Sequence, residues 1–237
     1  MRQPLQSKPE NPPLVLYAIP GLGVDGRIFA ALERFLPLQV LEWMFPTEQE
    51  GLNGYAIRMA NRLPAGPVYL IGYSFGGVVA QEIARQRAEV SVILISSIRF
   101  HEEKPLWLKL AKYVPFYRLA QGSWRVRSLP LWSWKFGVTK AEEIRLLQAM
   151  FSTADDGLRM WSIRRLSEWE GARNVPLFLR IHGDGDHVFR VRHFSGDMIK
   201  ISGGNHMMIW QQAEEVAGVI REKIEKSDRH GRPPADQ

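Results

Sequence analysis

Gly72-Tyr73-Ser74-Phe75-Gly76 is the stretch on which the fold of this chain turns. Glycines stand two positions before and two positions after the serine, and the quintet follows the apolar run Val68-Tyr69-Leu70-Ile71. A strand that turns sharply into a helix thrusts one side chain clear of the fold. Such a turn crowds its neighbours, so the flanking positions must lack a Cβ. Gly77 adds room for the helix expected over Val78–Arg87 to lie close on a sheet. The pattern predicts a strand, a tight turn carrying an exposed hydroxyl, and a helix.

Outward from this turn, apolar runs and helical patterns alternate. Leu14–Ile19 reads as a strand ended by Pro20-Gly21, Arg27–Leu36 as a helix, Val40–Phe45 as a strand and Gly51–Leu63 as a helix. Val68–Ile71 and Val90–Ser96 are the next strands, Leu177–His182 and Met198–Ile201 the last, and Met207–Glu225 a closing amphipathic helix. Alternation at this spacing implies parallel strands with right-handed crossovers, and continuous apolar runs imply that both sheet faces are covered. The expected fold class is therefore α/β, a mostly parallel sheet with helices on both faces. Residues 98–174 lack strand-like runs and carry Trp, Leu and Met at helical spacing, broken at Pro115, Pro130 and Gly137. They read as a helical cap inserted after the fourth predicted strand, dividing the core into 14–97 and 175–226. Residues 1–13 and 227–237 read as disordered tails.

A chain of 237 residues with 45% apolar content suits one large domain. No apolar run reaches the roughly 18 to 20 residues of a membrane span, and the polar, proline-rich start has no signal-like apolar core, so a cytoplasmic location is expected. The absence of cysteine excludes disulfides, thiolate metal sites and cysteine nucleophiles. The net charge of +6 is concentrated in the middle of the chain. No acidic residue lies between Glu103 and Glu142, whereas Lys104, Lys109, Lys112, Arg118, Arg125, Arg127, Lys135 and Lys140 interleave with Trp107, Trp124, Trp132 and Trp134. This stretch admits three readings: an ordinary solvated face, a docking site for an acidic substrate or acyl carrier, or a surface resting on an anionic membrane. No recognition motif accompanies the charge, so nucleic acid is not an expected partner.

A serine nucleophile needs a base. His206 follows Ser202-Gly203-Gly204-Asn205, after a strand and before the last helix, where a loop at the sheet edge can aim an imidazole at the serine. His101, His182, His187, His193 and His230 read as ordinary surface or partly buried histidines. The base needs an orienting acid, and His182-Gly183-Asp184-Gly185-Asp186-His187-Val188 offers two. Asp186 is preferred, because Asp184 suits closing the turn itself. The chain order Ser74, Asp186, His206 is that of one particular scaffold.

Four separated segments, Pro20-Gly21-Leu22-Gly23, Gly72 to Gly76, Gly183 to Val188 and Gly204-Asn205-His206, together resemble the α/β-hydrolase superfamily over nearly the whole chain. The overall pattern is similar to its small, largely uncharacterised bacterial serine-hydrolase members. The resemblance implies a Ser74–His206–Asp186 triad, an oxyanion hole made by the backbone N–H groups of Leu22 and Phe75, no cofactor and no metal. It departs in having Pro20-Gly21 where the family often has His-Gly, and Arg190 where the family often has proline. The activity it implies is a serine carboxylesterase on a small or medium apolar acyl ester. A thioesterase or lyase-type enzyme would use the same triad, and a non-catalytic ligand-binding relative would have lost a triad member. Trp107, Trp124, Trp132, Trp134, Trp161 and Trp169 are candidates both for lining an acyl pocket and for knitting the cap to its body. Asp25 and Arg27 could meet substrate polar groups, and Asp25 serves equally as a helix cap.

Overall fold

The computed structural model describes residues 15–114 and 123–229. Six strands form one sheet: β1 (Leu16–Ile19), β2 (Leu38–Val40), β3 (Val68–Tyr73), β4 (Val90–Ile95), β5 (Leu177–Gly183) and β6 (Ile199–Ile201). Their order is β2-β1-β3-β4-β5-β6, and every pairing is parallel. Successive residues of a strand point to opposite faces, and here both faces are apolar. Ile71 and Ile93 belong to a core shared with the helix α8 (Ala213–Arg229). Their neighbours Leu70 and Leu94 pack with α1 (Leu52–Ala60) and α2 (Phe75–Ala84).

The chain leaves β1 toward β2 and returns through α1 to β3 on the other side of β1, so the strand order reverses between β1 and β3. In open α/β sheets the crevice beyond the carboxyl ends of strands at such a reversal is where ligands bind. Pairing of Ile19 with Gly72 sets the loop after β1 beside the turn after β3. The contact is very close. A Cβ on Gly72 would overlap the Gly77 backbone, and one on Gly76 would overlap the carbonyl oxygens of Ile19 and Pro20.

Three elements depart from expectation. The segment 27–36 forms two 3-10 turns, Gly26–Phe29 and Leu32–Arg34, in place of one helix. Buried Ile28, Phe29, Leu32 and Leu36 all face the core, and two tight turns ended before Pro37 meet that spacing. The strand expected over Val40–Phe45 lies earlier, at Leu38–Val40, because the Tyr55 hydroxyl occupies both backbone groups of Met44, accepting from its N–H at 3.0 Å and donating to its carbonyl at 2.9 Å. The closing helix is divided into α7 (Met208–Gln211) and α8, and α8 continues through Ser227 to Arg229. Those three residues, expected to be tail, extend the helix with Glu222–Lys226 and Glu225–Arg229 pairs one turn apart. The expected tails 1–13 and 230–237 lie outside the described residues.

Among the described residues between β4 and β5 stand four α-helices, α3 (Leu106–Ala111), α4 (Ser123–Trp132), α5 (Ala141–Thr153) and α6 (Asp156–Glu168), with 3-10 turns at His101–Glu103 and Ser133–Phe136. Pro130 lies inside α4, Gly137 breaks the chain in a left-handed conformation (φ 76°), and Pro115 falls outside the described residues. The two ends of this segment are tied to each other, and the first is tied to the sheet. Phe100 pairs with Gly171, and the buried Glu103 carboxylate holds Arg180 of β5 at 2.6 Å while accepting the Arg99 N–H. Lys104, in the basic stretch read from sequence as a solvated face, a docking site for an acidic partner or a membrane-facing surface, is buried and donates to the Ser167 carbonyl at 2.9 Å; burial pulls its pKa down to about 8. Among the described residues, no helix is long and apolar enough to cross a membrane.

The glycine contacts make a contrasting prediction. Gly72→Ala or Gly76→Ala drives a Cβ into backbone and costs about 3 kcal/mol or more, at the upper end of overpacking penalties. Gly218→Ala, on an exposed part of α8 with open space around it, stabilises by about 0.5 to 1 kcal/mol. Urea unfolding of the three variants measures both effects.

Candidate active site

Ser74 sits between β3 and α2 with φ 53° and ψ −120°, a conformation that costs a side-chain-bearing residue about 1 to 3 kcal/mol. Neighbouring strands hold it there. The Ser74 N–H donates to Ile95 at 3.0 Å, and its carbonyl accepts from the Ser97 hydroxyl at 2.6 Å and from Gly77 at 3.0 Å. Although Ser74 occupies the N-cap of α2, its side chain makes no cap hydrogen bond. The hydroxyl instead lies 3.1 Å from His206 Nε2.

The other His206 nitrogen, Nδ1, is 2.8 Å from Asp186 Oδ2. A carboxylate only accepts, so Nδ1 carries the proton and Nε2 presents a lone pair to the Ser74 hydroxyl. His206 is fixed further by the Tyr73 hydroxyl, which donates to its carbonyl at 3.1 Å, and by the rings of Tyr73, Phe136 and Phe189 within 5.7 Å. All three groups are sequestered, with Ser74 9%, His206 3% and Asp186 2% exposed. Burial opposes charge on Asp186, yet the imidazoles of His206 and His182 outweigh it and hold the carboxyl well below the usual carboxylate range. Its Oδ1 accepts the N–H groups of Val188 (2.7 Å) and Phe189 (2.9 Å).

The two glycine loops that carry this pair are interlocked. A Cβ on Gly183 would overlap Gly204, and the Gly185 N–H donates to Gly204 at 2.8 Å. Asp184, expected to close its own turn, reaches across and accepts the Gly203 N–H at 2.7 Å, clamping the histidine loop. His182, read from sequence as an ordinary histidine, is a further member of the site. It is fully buried, and its Nε2 lies 2.8 Å from the Phe189 carbonyl and 3.2 Å from Asp186 Oδ2. Both partners accept, so this nitrogen carries a proton that faces the same carboxylate as His206. The one sequence signal was its position four residues before Asp186. His101, His187 and His193 lie elsewhere, beside Glu170, Trp134 and Arg192 respectively, and His230 is outside the described residues.

Phe75 opens α2, so its N–H has no intrahelical partner, and the Leu22 N–H meets no acceptor among the described residues. Asp25 caps the following turn, accepting the Arg27 N–H at 3.1 Å, and its hydrogen-bonded pairing with the Arg27 guanidinium lowers its pKa. Arg27 also reaches Thr153 of α5 at 3.0 Å, so this pair joins the loop to the inserted helices. A cavity of about 190 Å³ opens beside Leu22, walled by Trp43, Met44, Met150 and Leu158 among others. Ser74 and His206 do not line it.

Of the six tryptophans singled out, Trp161 lies nearest the elbow, with its ring 6.3 Å from Phe75 and 4.5 Å from Tyr55. Trp169 knits α6 to α2 through a 2.7 Å bond to buried Glu82, Trp107 and Trp134 are exposed, and the side chains of Trp124 and Trp132 are outside the described set. In the basic stretch, Lys109 and Lys112 lean on the Glu102 carbonyl and Glu170. Among the described residues, no cluster of three or more histidine or carboxylate groups is arranged to hold a metal ion.

A family model described as the alpha/beta hydrolase family matches residues 11–219. A comparison with curated protein sequences finds no match. Among solved structures, a thermophilic esterase from Thermogutta terrifontis aligns with a TM-score of 0.70 at 18% identity over 90% of each chain. A bromoperoxidase from Bacillus anthracis aligns at 0.69 and 14% identity, over 90% of this chain and 92% of that one. The meta-cleavage product hydrolase from Pseudomonas fluorescens IP01 aligns at 0.62 and 16% identity, over 91% and 92%. At such identities the likeness is one of fold.

The depressed pKa of Asp186 ties stability to acid. A carboxyl whose pKa is lower folded than unfolded (3.8) stabilises fully above the unfolded value and loses that contribution as pH falls through the folded one. Asp186→Asn lowers stability at pH 7 and flattens the decline below pH 4. Chemical unfolding at pH 7, 5, 3 and 2 measures the difference, and parallel curves for the two proteins would contradict it.

Proposed function

The chain belongs to the alpha/beta hydrolase family, and we propose that it is a serine carboxylesterase acting on small or medium apolar acyl esters. The observation that carries this reading is the unbroken line from Ser74 Oγ to His206 at 3.1 Å and on to Asp186 at 2.8 Å, beside two backbone N–H groups, of Leu22 and Phe75, that meet no acceptor among the described residues. Ser74 Oγ attacks the ester carbonyl while His206 Nε2 takes its proton. Charge moves onto the carbonyl oxygen, where the Leu22 and Phe75 N–H groups receive it, helped by the positive end of α2. The tetrahedral intermediate collapses, the alkoxide leaves with the proton from His206, and the acyl group stays on Ser74. His206 then deprotonates a water that attacks this acyl-enzyme, releasing the carboxylic acid and restoring the serine. Asp186 keeps the Nδ1 proton in place and stabilises each transient imidazolium.

The substrate class rests on the cavity beside Leu22. Its 190 Å³ is below the roughly 300 to 1,000 Å³ of drug-sized sites, and its walls are mostly apolar, which favours a short to medium acyl chain. The inserted helices act as a cap. Phe136 covers His206, and the Gly137 carbonyl accepts from Asn205 at 3.1 Å and from Gln211 at 3.3 Å, so substrate enters as these contacts part.

A fluorophosphonate probe labels the wild type and leaves Ser74→Ala unlabelled; a folded wild type that resists labelling would sink the proposal. On p-nitrophenyl esters from acetate to octanoate, activity peaks at short to medium chains and exceeds that on matched acyl thioesters. Asp186→Asn lowers kcat by about 10³- to 10⁴-fold, the scale of losing the orienting acid of a triad.

A further inference from the structure

We infer that Trp43 is a positioning residue that sets the oxyanion hole, holding both of its donors from one side chain; the inference rests on the esterase reading above. Trp43 lies just past β2, on the stretch diverted from the sheet by Tyr55. Its indole Nε1–H is shared between the carbonyls of Gly21 at 3.1 Å and Val24 at 3.2 Å, which bracket Leu22. The Gly21 carbonyl and the Leu22 N–H are opposite ends of one planar peptide unit, so fixing the oxygen fixes the direction of the N–H. Gly21 imposes little restraint of its own, and the turn bond from the Val24 N–H to the same carbonyl is longer, at 3.3 Å, so the indole adds the closer hold on this peptide. Gly21 cannot be exchanged for a stiffer residue without crowding, since a Cβ there would lie 3.0 Å from the Tyr73 ring and 3.2 Å from Ser74 Cβ. Accepting the indole proton also polarises the peptide toward a stronger N–H donor.

The same indole stacks on Phe75, with ring centroids 5.6 Å apart and an interplanar angle of 25°. Phe75 carries the second donor. One rigid bicyclic ring therefore bridges the loop after β1 and the start of α2, bracing the spacing that the glycine packing sets. Trp43 also walls the cavity beside Leu22, so a loss of substrate contact and a loss of donor alignment must be told apart by experiment.

Two variants separate the hydrogen bond from the bulk. Trp43→Phe keeps an aromatic ring against Phe75 and lacks the N–H, whereas Trp43→His keeps a ring nitrogen at the position equivalent to Nε1. With p-nitrophenyl butyrate, Trp43→Phe is expected to lower kcat by about 10- to 100-fold, below the loss seen when an oxyanion donor is removed outright, with KM within about threefold. Affinity for an alkyl trifluoromethyl ketone, whose adduct with Ser74 places an oxyanion in the hole, falls by the same factor as kcat/KM. Inhibition by neutral 1-butanol, which places no oxyanion in the hole, changes by less than that factor, and Trp43→His recovers part of both losses. Thermal unfolding verifies that each variant is folded; if Trp43→Phe is not, Trp43→Leu takes its place in the comparison. An active wild type matched by the variant lacking the N–H, a loss confined to KM, or an equal loss in the histidine variant overturns the role of Trp43 alone. A wild type that neither hydrolyses esters nor binds the ketone overturns the esterase reading and this inference with it.

Discussion

The close approach of α2 to the ends of β1 and β3 is the constraint on which the rest of the molecule depends. Gly72, Gly76 and Gly77 leave no room for a Cβ against the Gly77 backbone, the Ile19 and Pro20 carbonyls and the Ser97 side chain. Because the helix starts that near the sheet, Ser74 is forced into a left-handed φ and its hydroxyl leaves the fold toward the crevice. The strain is met by two hydrogen bonds: the Ile95 carbonyl at the end of β4 accepts the Ser74 N–H, and the Ser97 hydroxyl two residues beyond donates to the Ser74 carbonyl. The same approach sets the Phe75 N–H beside the loop after β1. The positions of the proposed nucleophile and of the proposed donor thus both follow from one packing contact.

Electrostatics organise the opposite side of the crevice. Asp186 would be costly to bury alone, and it is compensated by two imidazoles and two backbone N–H groups. His182 shares the carboxylate with His206, which spreads its charge and ties the end of β5 to the histidine loop. The interlocked Gly183 and Gly204 turns give this network its rigidity, since neither loop can shift without the other. The helical insertion then closes over the arrangement through Phe136, Gly137 and the Arg27 contact to α5.

Much of this was legible in the sequence, because the residues proposed to carry the chemistry are also those with unusual local demands. Glycines at fixed offsets mark Ser74, Asp186 and His206 as loop residues between strands and helices, and continuous apolar runs mark β1, β3, β4 and β5. Trp43, His182 and Tyr73 gave no such signal. Each is a common core or near-core residue type, and its part in the site comes from tertiary partners: Gly21 and Val24 for Trp43, His206 for Tyr73, and Asp186, four residues on, for His182. Lys104 misled for the same reason, since a lysine among other basic residues reads as solvated until the Ser167 carbonyl is seen to cover it.

Local sequence by itself determined the α/β alternation, the elbow and the order of its candidate triad, because backbone sterics and strand periodicity act over a few residues. Tertiary structure alone decided how β2 was cut short, which side chain holds the loop after β1, how the Asp186 charge is shared, and that Phe136 of the insertion packs on His206. Those outcomes rest on hydrogen bonds and ring contacts between residues from 4 to more than 130 positions apart, and no local preference encodes a contact at the longer of those separations.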